Sequence, residues 1–201
     1  MPERTCRVNP FDERTGDRRG AGVGSPPEVD VLAPRRPGAG WVVAASLLLV
    51  ACPSVTRQGS VVTTPDTRYR IGPLPSGWQE VSLGDSDLAL MTTPRDYALW
   101  VDSTCRSYED VPLVALNRQL LVGFTDVEKQ DQETAPLAGR EALVSRYRVK
   151  MDGVPRELAL VVVKKDGCIY DFAYVAPVQG SAAHAGEFRA LWSGFETEPK
   201  P

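Results

Sequence analysis

Glu157-Leu-Ala-Leu-Val-Val-Val-Lys164 runs between two Asp-Gly pairs, Asp152-Gly153 and Asp166-Gly167. Asp and Gly both tolerate positive φ, which a tight hairpin turn requires, so each pair marks a chain reversal between apolar runs. The spacing predicts three antiparallel strands in succession: Glu141 to Met151, Glu157 to Lys164, and Cys168 to Val175. The middle strand is apolar on both faces, as a strand covered on both sides must be. In the first strand Leu143, Tyr147, Val149 and Met151 share one face. Val144, Arg146, Arg148 and Lys150 share the other, which is largely wet. In the third, Tyr170, Phe172 and Tyr174 alternate with Ile169, Asp171, Ala173 and Val175. A one-layer sheet cannot bury such a centre, so helices must pack on it.

Working outward, Phe188, Leu191, Trp192 and Phe195 fall at i, i+3, i+4 and i+7, which predicts a closing helix from about Ser181 to Phe195 with an aromatic stripe on the sheet. Upstream, Val127 to Thr134 alternates weakly. Before it, Asp110 as N-cap, Pro112 in the first turn and the spacing of Leu113, Leu116, Leu120, Leu121 and Phe124 predict a helix that stops near Gly123, with Asn117, Arg118 and Gln119 on its solvated face. Leu88 to Met91 and Tyr97 to Ser103 read as a hairpin, preceded by a short strand from Trp78 to Leu83. The fold is expected to open at Tyr69-Arg-Ile71. Residues 69–196 then form one α+β domain, 197–201 a frayed tail, and 52–68, rich in Ser, Thr, Val and Gln, a flexible tether.

The segment before the tether carries its own signal. Trp41-Val-Val-Ala-Ala-Ser-Leu-Leu-Leu-Val-Ala-Cys52 is an apolar run preceded by Arg35-Arg36 and closed by Leu49-Val50-Ala51-Cys52. It resembles a bacterial lipoprotein signal peptide, in which the cysteine becomes the lipid-bearing first residue. The run is shorter than the roughly 20 residues that cross a bilayer. The resemblance implies removal of residues 1–51 and acylation of Cys52, with palmitate-type chains anchoring the protein to a bacterial membrane, outer or cytoplasmic, and facing the periplasm in a Gram-negative cell. Met1 to Gly40 is long for the leading part of such a signal and mixes seven arginines with six acids. A translation start nearer Val29 or Val31 is expected.

Accepting the signal simplifies the cysteines. Cys6 is discarded and Cys52 lipidated, which leaves Cys105 and Cys168 in an oxidising compartment, where a disulfide is expected; two buried thiols are the alternative. Beyond residue 51 the chain holds 16 Lys and Arg against 20 Asp and Glu, a net of −4, with no basic cluster larger than Lys164-Lys165. Nucleic acid is not an expected partner.

The order of four strands, a helix, four strands and a helix, with Tyr69-Arg-Ile71, Pro75-Ser-Gly-Trp78 and the closing Trp192-Ser-Gly-Phe195, resembles the PsbP-like α/β/α sandwich of small bacterial envelope lipoproteins. A cystatin-like α+β roll is the rival architecture. The resemblance implies a noncatalytic accessory or binding domain and carries over no functional residue.

Candidate chemistry is sparse. His184 is the only histidine and has no nucleophile beside it in sequence, and one His with two Cys does not make a zinc set. Gly84-Asp-Ser-Asp-Leu88 lacks the second glycine of a nucleophile elbow. Asp85 with Asp87, and Asp131 with Glu133, lack a calcium-loop pattern and read as solvated turn acids. Gly20-Ala-Gly-Val-Gly24 lacks the strand and helix of a phosphate loop. No metal or cofactor is expected. Asp171 stands out, because a carboxylate inside an apolar strand needs a partner such as Arg146 or Arg148, or else faces a cleft. The expectation is a lipid-anchored envelope protein that binds another envelope protein or a small ligand without catalysis. The alternative is an envelope hydrolase working through carboxylates.

Overall fold

In the computed structural model, which describes residues 55–105 and 110–199, the chain forms eleven strands and two helices among those residues. They are β1 (Thr56–Gln58), β2 (Val61–Thr63), β3 (Arg68–Arg70), β4 (Gln79–Glu80), β5 (Leu88–Met91), β6 (Ala98–Thr104), α1 (Leu113–Gln119), β7 (Thr125–Leu137), β8 (Arg140–Met151), β9 (Val154–Lys165), β10 (Cys168–Pro177), α2 (Ala185–Ser193) and β11 (Glu196–Thr197). The fold is an antiparallel-sheet-rich α+β domain. A seven-stranded sheet has the order β4-β5-β6-β10-β9-β8-β7, and a four-stranded sheet the order β1-β2-β3-β11.

Two-residue turns set the register of the large sheet. Met151 pairs with Val154 around Asp152 (φ +51°) and Gly153 (φ +79°), and Lys165 pairs with Cys168 around Asp166 (φ +52°) and Gly167 (φ +77°). A third turn of the same kind, Ala138 (φ +49°) and Gly139, joins Leu137 to Arg140. The Val127–Thr134 alternation thus belongs to a 13-residue strand that extends the meander.

Strand alternation distributes the core. Tyr170, Phe172 and Tyr174 face Phe188, Leu191 and Phe195, with ring centroids 4.6 Å apart for Tyr170–Phe195 and 5.6 Å for Tyr174–Phe188. Ile169, Ala173 and Val175 lie on the opposite face with Leu158, Leu160 and Val162, against Leu116, Leu120, Leu121 and Phe124 of α1 and the turn after it. The two helices therefore pack on opposite faces, which is why β9 is apolar on both. Each large side chain so buried contributes about 1.5–3 kcal/mol.

Local departures have physical causes. Helix α1 starts after Pro112, not Asp110, and lacks a side-chain cap, because the proline ring offers no acceptor; the Pro112 carbonyl accepts from the Ala115 and Leu116 amides. Asn117 is not solvated: it is fully buried, its Oδ1 accepting the Tyr147 hydroxyl. The tether expected over 52–68 and the tail over 197–201 are corrected where they are described. β1, β2 and β3 pair in the small sheet with β11, Val62 and Tyr69 are fully buried, and Glu198 accepts bonds from Arg68 and Arg70. Apolar Val62 and Tyr69 supply the burial that the Ser/Thr-rich composition concealed.

Gly72 and Gly194 let the small sheet meet the end of α2. A Cβ on Gly72 would lie 1.9 Å from the Ala190 carbonyl oxygen, and the Gly72 amide donates to the Leu191 carbonyl at 2.7 Å. Among the described residues no helix is long and apolar enough to cross a membrane.

Candidate functional site

On the α2 face, the helix covers β10 while β8 and β7 extend beyond it. Because Ala159 and Ala185 are small, the step between helix and sheet stays open as a groove of about 370 Å³. Val144, Ala159, Phe188 and Trp192 supply apolar wall, and Asp131, Glu133, Arg146, Glu157 and Arg189 supply charge. Arg146 pairs with Asp131 at 3.2 Å and Arg148 with Glu157 at 3.4 Å, so two of the three acids are held by arginines. An apolar wall with a few placed polar groups, in this volume range, is the usual character of a small-ligand site.

Asp171 does not meet Arg146 or Arg148. Its cross-strand partners are Val162 on β9 and Asp102 on β6, and Val162 is in turn opposite Leu143, three residues from Arg146. The arginines also project from the other face of the sheet. Asp171 Oδ1 is buried without a hydrogen-bond partner, while the residue keeps part of its surface within reach of solvent. Burial, then the charge of Asp102, raises the Asp171 carboxyl to about 7. Burial, then the charge of Asp87, raises Asp102 to about 6. None of the described ion pairs involves either residue. Beside Asp171 is a cavity of about 70 Å³, lined also by Thr104, Gln119, Leu116, Leu120 and Ile169.

At the end of the same strand pair, Cys105 and Cys168 form a disulfide that closes a sequence separation of 63 residues. Cys52 lies outside the described residues, as does the apolar run before it.

The remaining candidates take structural positions. Asp87 is no solvated turn acid: its Oδ2 accepts the Tyr69 hydroxyl at 2.7 Å and the Ser103 hydroxyl at 2.6 Å, tying the small sheet to the large one. Burial raises its carboxyl and those two bonds oppose the rise. Ser86 closes the turn onto the Leu83 carbonyl. His184 packs edge-on to Trp78 and Tyr97, its Nδ1 2.7 Å from Glu187 Oε2, which also accepts from Trp78 Nε1. Lys164 donates to the Val111 carbonyl and Lys165 to that of Ala138, so both are tied down and not purely solvated. Asp131 and Glu133 line the groove. Sequence reasoning missed Asp102 and the groove. A period-2 reading of β6 places Asp102 on the same face as Trp100, but only the pairing of β6 with β10 sets it opposite Asp171.

No family model and no curated protein matches the sequence. Among solved structures, the fold is similar to the solution structure of cyanobacterial PsbP (CyanoP) from Synechocystis sp. PCC 6803, with a TM-score of 0.50 and 18% identity, covering 77% of this chain and 99% of that one. It is also similar to the crystal structure of LpqN, described as involved in cell envelope biogenesis of Mycobacterium tuberculosis, with a TM-score of 0.50 and 16% identity, covering 74% of this chain and 91% of that one. A weaker likeness is to the Saccharomyces cerevisiae Ran-binding protein Mog1p, TM-score 0.41 and 11% identity, covering 72% and 95%. At these identities the likeness is one of fold.

Proposed function

We propose that this chain is a lipid-anchored bacterial envelope protein whose domain, an α/β/α sandwich of the PsbP-like kind, binds a small amphipathic ligand noncatalytically in the groove beside α2. The observation that carries the binding reading is the groove itself, about 370 Å³ with apolar wall from both helix and sheet and charged groups around it. Support for the anchor comes from Leu49-Val50-Ala51-Cys52 at the end of the apolar run. The disulfide fits an oxidising compartment. The envelope role in the description of LpqN points the same way. Two or more acyl chains on one residue give a stable anchor, since each buried CH₂ contributes about 0.8 kcal/mol.

The carboxylate-dependent hydrolase is the weaker reading. Asp131 and Glu157 in the groove are engaged by arginines, and the cavity at Asp171, about 70 Å³, has room for a few waters or an ion but not a sugar ring.

Co-purification from detergent-solubilised bacterial membranes tests the proposal. The wild-type chain is expected in the detergent phase with a bound small molecule, and Cys52→Ala in the aqueous phase. A wild-type chain in the aqueous phase overturns the anchor, and a ligand-free wild type that binds no extracted envelope component overturns the groove.

A further inference from the structure

Three peptide bonds link Cys52 to Val55, a span of at most about 11 Å when fully extended. Val55 is already packed against the core of the domain. The residues after it are held as β1 by pairing with β2 and by the ion pair of Arg57 with Glu80. No slack tether therefore separates Cys52 from the folded chain. β1 begins beside the turn between β2 and β3: Thr56 is the Cα partner of Thr63, and the Thr64 amide donates to the Thr67 carbonyl at 2.9 Å. The Asp166-Gly167 turn stands next to this one, because Thr197 Oγ1 donates to Asp166 Oδ2 at 2.6 Å. Lys165 Nζ in turn donates to the Ala138 carbonyl at 2.9 Å, which brings in the turn between β7 and β8.

Given the anchor proposed above, on which this inference rests, we propose that the end of the domain formed by these three turns rests on the headgroup layer of the bilayer that holds Cys52, and that the β8–β9 tip is carried away from it. The ionisable side chains of the three turns are Asp66, Asp166, Arg140 and Lys165, two of each sign. A surface of balanced charge is neither strongly drawn to nor repelled by a headgroup layer, so the short link to the acylated residue holds it there. At the opposite end of the strands lie Val122, 82% exposed, and the exposed Val127, Met151 and Val154. That apolar tip is thereby presented away from the lipid.

The test uses the acylated full chain, purified in neutral detergent and reconstituted into vesicles of phosphatidylethanolamine and phosphatidylglycerol that contain a headgroup-nitroxide lipid. In the mature chain Cys52 is acylated and Cys105 is bridged to Cys168, so Asp66→Cys and Val154→Cys each supply a single thiol for a bimane label. Both positions are exposed, so neither substitution disturbs the core. The nitroxide is expected to quench the Asp66→Cys label about threefold more than the Val154→Cys label, because the length of β9 separates the two ends by about 37 Å. A Gly-Ser insert of about 20 residues after Ser54, with an end-to-end distance of about 25 Å, is expected to make quenching weak at both labels while the chain still floats with the vesicles. Equal quenching at the two labels of a floating chain, or quenching of the Asp66→Cys label unchanged by the insert, would overturn the proposal. A chain that fails to float with the vesicles would instead strike the anchor itself.

Discussion

Asp171 and Asp102 stand opposite each other as Cα partners between β10 and β6, and neither joins a described ion pair. An uncompensated buried charge costs free energy that an isosteric amide does not. At pH 8, Asp171→Asn is expected to stabilise the fold by about 1 to 3 kcal/mol, measured by urea unfolding. A loss of stability would mean that the carboxylate has a favourable partner.

Gly72 carries the closest approach between the small sheet and α2. Gly72→Ala must push its methyl into the Ala190 carbonyl, so helix or strand has to move. The expected cost is about 3 kcal/mol or more, as for severe overpacking. Gly59, at φ +60° with nothing near its Cβ direction, is the control. Gly59→Ala is expected to cost only about 1 kcal/mol from backbone strain. Equal costs at the two sites would contradict the close crossing.

The Cys105–Cys168 bridge closes a long loop across the β6–β10 pair. In the chain-entropy model this contributes roughly 4 kcal/mol. Reduction, or the Cys105→Ser Cys168→Ser double variant, is expected to lower stability by roughly that amount while leaving the far-ultraviolet dichroism that of an antiparallel-sheet protein. Two thiols reacting in the unreduced, denatured mature protein, which begins at the acylated Cys52, would contradict the bridge.

Glu198 gives a pH dependence. Hydrogen bonding from Arg70 first, and then from Arg68, holds its carboxyl below the usual carboxylate range. A group lowered on folding adds stability above its unfolded value, about 4.3, and loses it as pH falls through the lower folded value. The protection factors of the β3–β11 amides, their exchange rates taken relative to the intrinsic rate at each pH, are therefore expected to fall on acidification through and below that range, and Glu198→Gln to remove the dependence. Protection at Tyr69 and Thr197 that is insensitive to acid would contradict it.

The meander was readable in the sequence because Asp152-Gly153 and Asp166-Gly167 specify turns locally, and the alternation between them specifies faces. The third hairpin was less readable, since Ala138 adopts a positive φ that its residue type does not advertise. The small sheet was missed because three-residue strands carry too little periodicity, and Tyr69, Val62 and Glu198 become partners only after the chain has closed on itself. Asp171 was recognisable as a misfit in an apolar strand. Its partner was not, because register three strands across decides that it meets Asp102 and not an arginine. The groove depends on small Ala159 and Ala185 lying under one helix, a relationship between distant elements that no local pattern encodes.

The most direct test of the anchored binding domain is a native mass spectrum of the chain purified from bacterial membranes in mild detergent, beside the Ala159→Trp variant, whose indole would fill the groove. The expected wild-type spectrum shows a chain beginning at Cys52, heavier by its acyl groups, with a small-molecule adduct that Ala159→Trp lacks. A chain that keeps the residues before Cys52 and carries no acyl mass, or an adduct that persists unchanged in Ala159→Trp, would contradict the account.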